Sequence, residues 1–145
     1  MQSGARAAPV AAQSQAMPRP HDQAWQAYQL LHWGFVLVPL LAGLDKMFHF
    51  MTDWNKYLCG YVTNLLAQGN VSVQNFMMGV GALEIIVAML VAFKPRVGAY
   101  IAALWLAAII ANLVMLQGYY DIILRDFGLF LGAIALGRLS HANAR

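Results

Sequence analysis

A chain of 145 residues that is 61% hydrophobic and 10% charged lies far from soluble domains, which run about 25% charged. Its net charge of +3 comes from nine basic and six acidic residues, and no Lys/Arg run exists to form a nucleic-acid surface. Cys59 is the single cysteine, which excludes an intramolecular disulfide and CxxC redox chemistry. The composition predicts one all-α membrane domain and leaves no room for a second soluble one.

Residues 1–22 are rich in Ala, Gln, Ser and Pro and carry Arg6 and Arg19, which predicts a mobile tail. Up to Pro20 they hold no acid, a mild likeness to a mitochondrial transit peptide, but no apolar core of the secretory type. The membrane domain is expected over residues 23–140. A bilayer core about 30 Å thick takes roughly 20 helical residues at about 1.5 Å each. The first apolar span covers residues 24–44 and can continue as helix to Phe50. Trp25, Tyr28 and Trp33 gather at its start as interfacial aromatics do, and Pro39 removes a backbone hydrogen bond and predicts a kink. Next come Trp54, Tyr57, Leu58, Tyr61, Val62, Leu65 and Leu66, at helical spacing with Asn55, Lys56, Thr63, Asn64 and Gln68 on the opposite face. Asp53 is the expected N-cap and Gly69-Asn70 the stop. This pattern predicts an amphipathic helix lying in the membrane plane, or a cap over the bundle mouth at the same surface. The second span covers residues 76–93 with Glu84 at its middle. After the charged turn Lys94-Pro95-Arg96, the third span is uncharged over residues 97–117. The fourth opens near Tyr119 or Ile122 and ends at Leu139, and residues 141–145 form a polar tail.

The resulting fold class is a bundle of four transmembrane helices with an interfacial helix between spans one and two. Helices associate in lipid through close packing at small residues. Ala99, Ala103, Ala107 and Ala111 recur every four residues and predict a packing seam on span three. Gly128 and Gly132 stand at GxxxG spacing on span four, and Gly79 and Gly81 lie on span two. Four spans put both ends of the chain and the Lys94–Arg96 turn on one side, with Arg6, Arg19, Arg138 and Arg145. Lys46, Lys56 and Arg125 fall on the other. The positive-inside rule then sets both termini in the cytoplasm, as in a bacterial inner membrane, and the interfacial helix outside.

On that frame all four spans carry polar groups into the outer half or the midplane. Asp45, Lys46 and His49 end span one, Glu84 sits at mid-depth, Asn112 lies in the outer half of span three, and Arg125 and Asp126 open span four. Asp45 and His49 are one helical turn apart and can share a proton or a ligand. An isolated anion at the depth of Glu84 is costly, so Glu84 is expected to be protonated or paired with Lys46 or Arg125. The same groups also have plain structural readings: interfacial residues within reach of water for Asp45, Lys46, His49, Arg125 and Asp126, and an interhelical hydrogen bond for Asn112. His49 and Cys59 are too few for a metal site. Asp126-Phe127-Gly128 and Asn70-Val71-Ser72 match a kinase motif and a glycosylation sequon by chance, and Cys59 beside the apolar stripe reads as packing.

Gly43-Leu44-Asp45-Lys46-Met47-Phe48, then Thr52-Asp53-Trp54 and Tyr57-Leu58, resemble the DoxX-like membrane proteins. Gly81-Ala82-Leu83-Glu84 is similar to their G-x-x-E pattern, and Arg125-Asp126-Phe127-Gly128-Leu129, with Ala135 to Ser140, resembles their last helix. The resemblance covers about residues 30–140. It implies a four-helix membrane bundle related to quinone-linked thiol oxidoreductases, some members being subunits of a thiosulfate:quinone oxidoreductase and others partners of redox-defence enzymes. Lacking paired cysteines, this chain departs from the thiol-oxidising relatives. The expectation is a membrane subunit of a redox-linked complex, with a quinone as cofactor and the lipid bilayer and other membrane or peripheral redox proteins as partners. The alternative is a non-enzymatic structural or assembly subunit.

Overall fold

A computed structural model describes residues 23–142; the tail expected over residues 1–22 lies outside the described residues. Within them the chain forms five α-helices and a 3₁₀ turn, with no strand: α1 (Gln23–Phe48), the 3₁₀ turn (Trp54–Tyr57), α2 (Gly60–Gln68), α3 (Val73–Phe93), α4 (Pro95–Leu116) and α5 (Tyr120–Ala142). Helix α1 runs through Pro39 and stops at Phe48. Ser72 caps α3, its hydroxyl accepting the Asn75 N–H at 3.1 Å. Lys94 alone joins α3 to α4, and Pro95 takes the first turn of α4, where a missing N–H costs nothing. The turn is so tight that a Cβ on Gly98 would run into the Val91 backbone. Gln117 ends α4 in the left-handed conformation at φ 53°.

The four long helices share one apolar core. Phe35 and Val36 from α1, Val87 and Val91 from α3, Ala99, Ala102 and Ala103 from α4, and Ala133 and Leu136 from α5 are all buried in it. Helix α1 packs most extensively on α3, and α4 on α5, with α3 and α4 meeting between the two pairs. Outward faces carry large apolar side chains, among them Leu30, Leu41, Ile86, Leu104 and Leu124. Water would penalise that surface and hydrocarbon would not. Among the described residues, α1, α3 and α4 are long and apolar enough to cross a membrane. Helix α5 matches them in length, but Asp121, Arg125, Asp126 and Arg138 interrupt its apolar sequence.

Three sequence expectations need correction. The alanine ridge is a seam only at its start: Ala99 and Ala103 are buried, Ala107 is half-buried and Ala111 is exposed. Four residues turn a helix through about 400°, so an i+4 row drifts by about 40° per step and leaves the contact face within three steps. The buried face follows Gly98, Ala99, Ala102, Ala103 and Leu113 instead. Likewise Gly128 faces open space, whereas the close helix contact is Gly43 against Gly81, where an added Cβ would stand 2.5 to 2.6 Å from the opposing carbonyl oxygen. The amphipathic segment is also not one continuous helix. Leu58 and Cys59 are extended, dividing it into the 3₁₀ turn and the nine residues of α2. Tyr61 and Leu65 of α2 remain exposed while Val62 and Leu66 are half-buried.

Candidate functional site: a buried lysine–glutamate pair

The site begins with the glycine contact. Because Gly43 and Gly81 bring the backbones of α1 and α3 together, Lys46 at the end of α1 reaches across to α3. Its Nζ donates to Glu84 Oε2 at 2.7 Å, with Lys46 only 3% and Glu84 5% exposed. The expected partner of Glu84 is thus Lys46. Arg125 is not: its side chain is 67% exposed and its Nε lies 3.4 Å from the neighbouring Asp126 Oδ1. Consecutive helical residues point about 100° apart, so Asp126 turns inward and Arg125 outward.

Trp54 closes the cluster from above. Lys46 Nζ stands 3.6 Å from the centroid of its ring, a cation–π contact, and the indole N–H donates to Asp45 Oδ2 at 2.6 Å. Asp45 Oδ1 in turn accepts the backbone N–H groups of Phe50 at 2.9 Å and Met51 at 2.7 Å. One carboxylate therefore folds the chain back over the end of α1. The expected sharing between Asp45 and His49 is not made. Helix α1 has ended by His49, which adopts φ 53°, and its ring Nε2 lies 3.1 Å from Gln74 Nε2 on α3. Gln74 Oε1 accepts from Asn55 Nδ2 at 3.2 Å, tying the 3₁₀ turn to α3.

Asn112 stands apart from the charges and has a different task. Its Nδ2 donates to the Tyr57 carbonyl at 2.6 Å, and its Oδ1 accepts the Cys59 N–H at 3.1 Å. The side chain from α4 thereby satisfies the two backbone groups that the break at Leu58–Cys59 sets free, which is the physical reason the amphipathic segment divides there.

Asp126 is buried, and its carboxylate is paired with the exposed Arg125 beside it. Trp105 of α4 directs its indole toward Glu84. Its Nε1 is buried and makes no hydrogen bond of good geometry among the described residues. Three acids, Asp45, Glu84 and Asp126, are thus buried along with Lys46, and the Trp105 N–H lies beside Glu84. Sequence reasoning leaves out Trp105 and Gln74, and names Gly43 and Trp54 without giving them a part in the cluster. Trp54 looked like one more member of an apolar stripe, and only the reversal made by Asp45 brings it over Lys46. Comparison with family models, curated proteins and solved structures finds no match to this chain.

Proposed function

We propose that this chain is a DoxX-like integral membrane subunit of a redox-linked complex, crossing the bilayer four times with both termini cytoplasmic in a bacterial inner membrane. In this reading the outer-half cluster receives a quinone headgroup. The observation that carries it is the burial of Glu84, paired with Lys46, and of Asp126, paired with Arg125, together with a buried Trp105 N–H that makes no hydrogen bond of good geometry among the described residues. A buried N–H donor beside buried acids suits a ligand that offers a carbonyl oxygen and exchanges protons. A quinone has two such oxygens, so the donor set fits; Trp105 would hold a carbonyl, with Asp126 and Glu84 as the acids beside it. When bound, it would supply two-electron, two-proton chemistry. Redox proteins of the same membrane are the proposed partners, and the bilayer is the solvent of the exposed Leu and Ile side chains.

A second reading, a non-enzymatic assembly subunit, is favoured by a specific observation. Asp45 and Lys46 already have their partners within the chain, as charges that only pin helices would. The test separates the two. Protein purified in mild detergent is extracted for lipid-soluble quinones, beside Trp105→Phe and Asp126→Asn variants. Bound quinone that falls severalfold in both variants is the expected result. Absence of quinone from the parent protein, with an unchanged co-purifying partner, would leave the assembly reading.

A further inference from the structure

At the end of the molecule opposite the cluster, a groove of about 520 Å³ opens between the start of α1, the α3–α4 turn and the end of α5. Trp25, Tyr28, Phe93 and Val97 line it with apolar and aromatic surface, and Lys94 and Arg96 bring two cations to it. Both cations are exposed, and Arg96 is steadied by donating from Nε to the Ser140 carbonyl at 3.3 Å. All acidic side chains among the described residues belong to the midplane or the other half; Asp22, which precedes α1, lies outside the described residues. The turn joins two helices each apolar enough to cross a bilayer, so this groove stands at a membrane face. Trp25 and Tyr28, with ring centroids 5.5 Å apart, are the residue types that settle at headgroup level.

We infer that this groove is a binding site for an anionic phospholipid, its phosphate held between Lys94 and Arg96 and its upper acyl chain laid along Trp25, Phe93 and Val97. Charge complementarity selects the headgroup, since two cations stand over the groove with no described acid nearby. The aromatic wall selects a lipid over a free anion, which has no use for apolar surface. Arg96 brings a planar fork of donors suited to phosphate oxygens, and Lys94 a mobile point charge. The inference rests on the turn lying at a membrane face and is independent of the redox reading.

The test is native mass spectrometry of the full chain in neutral detergent, offered equal amounts of phosphatidylglycerol and phosphatidylcholine. Phosphatidylglycerol should be retained preferentially, and Lys94→Gln with Arg96→Gln should cut that preference roughly tenfold. The control Lys56→Gln, at the other end, should leave it intact, and Lys94→Arg with Arg96→Lys should largely keep it, so a folding defect is distinguishable from a lost site. Equal retention of the two lipids, or an unchanged preference in the double neutral variant, would overturn the inference. So would complete displacement of phosphatidylglycerol by millimolar inorganic phosphate, which would mark a site for the free anion.

Discussion

Lys46 and Glu84 form a pair that neither helix could keep alone. Each is nearly fully buried, and the desolvation of two charges is offset by a 2.7 Å contact and the Trp54 ring over the ammonium. Removing one partner leaves the other buried and uncompensated, a loss of about 3–5 kcal/mol in comparable cases. Glu84→Gln and Lys46→Met are therefore each expected to lower the unfolding midpoint in detergent markedly, and the double variant should cost clearly less than the two losses added. Strict additivity in that cycle would mean the two side chains do not interact. The need for a partner was legible in the sequence, because depth alone makes a lone carboxylate expensive. Which cation would serve was not legible: choosing Lys46 over Arg125 depends on the Gly43–Gly81 approach and on the outward turn of Arg125, both products of packing. The surroundings of Asp45 were hidden for a similar reason. Its acceptors are filled by a chain reversal that begins only after α1 ends.

Among the elements, the segment between α1 and α3 shows how tertiary contact edits a local pattern. Its apolar residues keep helical spacing from Trp54 to Leu66, yet the backbone is extended at Leu58 and Cys59. Periodicity reports which faces are apolar and is silent about where a side chain from elsewhere inserts. Asn112 supplies the donor and the acceptor for the break, so its truncation should be felt in a stretch 53 to 55 residues away in sequence. Asn112→Ala should leave the Tyr57 carbonyl and the Cys59 N–H unpaired, at about 1–3 kcal/mol for each buried group. Hydrogen exchange should then rise at Cys59 and through the first turn of α2, while the amides of α3 stay protected. Asn112→Asp should restore protection at the Cys59 amide only in part, since a carboxylate can still accept that N–H but repels the Tyr57 carbonyl. Unchanged exchange in both variants would show that the break is held by something other than this side chain. The alanine row on α4 teaches the same lesson by drift: equal spacing in sequence is not a constant direction in space, and Ala111 has rotated out of the seam that Ala99 begins.

For the whole molecule, the number of crossings turns on α5. Helices α1, α3 and α4 qualify by length and apolar composition, while α5 is as long but carries Arg125 and Asp126 near its start and Arg138 near its end. Its buried face argues that it travels with the others. Ala133 and Leu136 are fully enclosed, and Gly137 lets the Tyr100 ring of α4 lie where a Cβ would stand 2.8 Å from the ring. The general all-α membrane character was legible because composition and span length are additive along the chain. The fate of α5 was not, because its inward groups are offset by neighbours that only the fold supplies. A crossing α5 puts its charges at different depths: Asp126 buried in the interior, and Arg125 and Arg138 toward the two surfaces. Single cysteines can read this directly, placed in a Cys59→Ala background at four exposed positions: Asn64→Cys, Lys94→Cys, Gly118→Cys and His141→Cys. An impermeant maleimide applied to intact cells should label Asn64→Cys and Gly118→Cys, and should reach Lys94→Cys and His141→Cys only after the membrane is opened. Labelling of His141→Cys together with Gly118→Cys would mean that α5 does not cross, and would reduce the molecule to three spans. Labelling of Lys94→Cys and His141→Cys alone would keep four spans and reverse the orientation, placing the charged cluster on the cytoplasmic side.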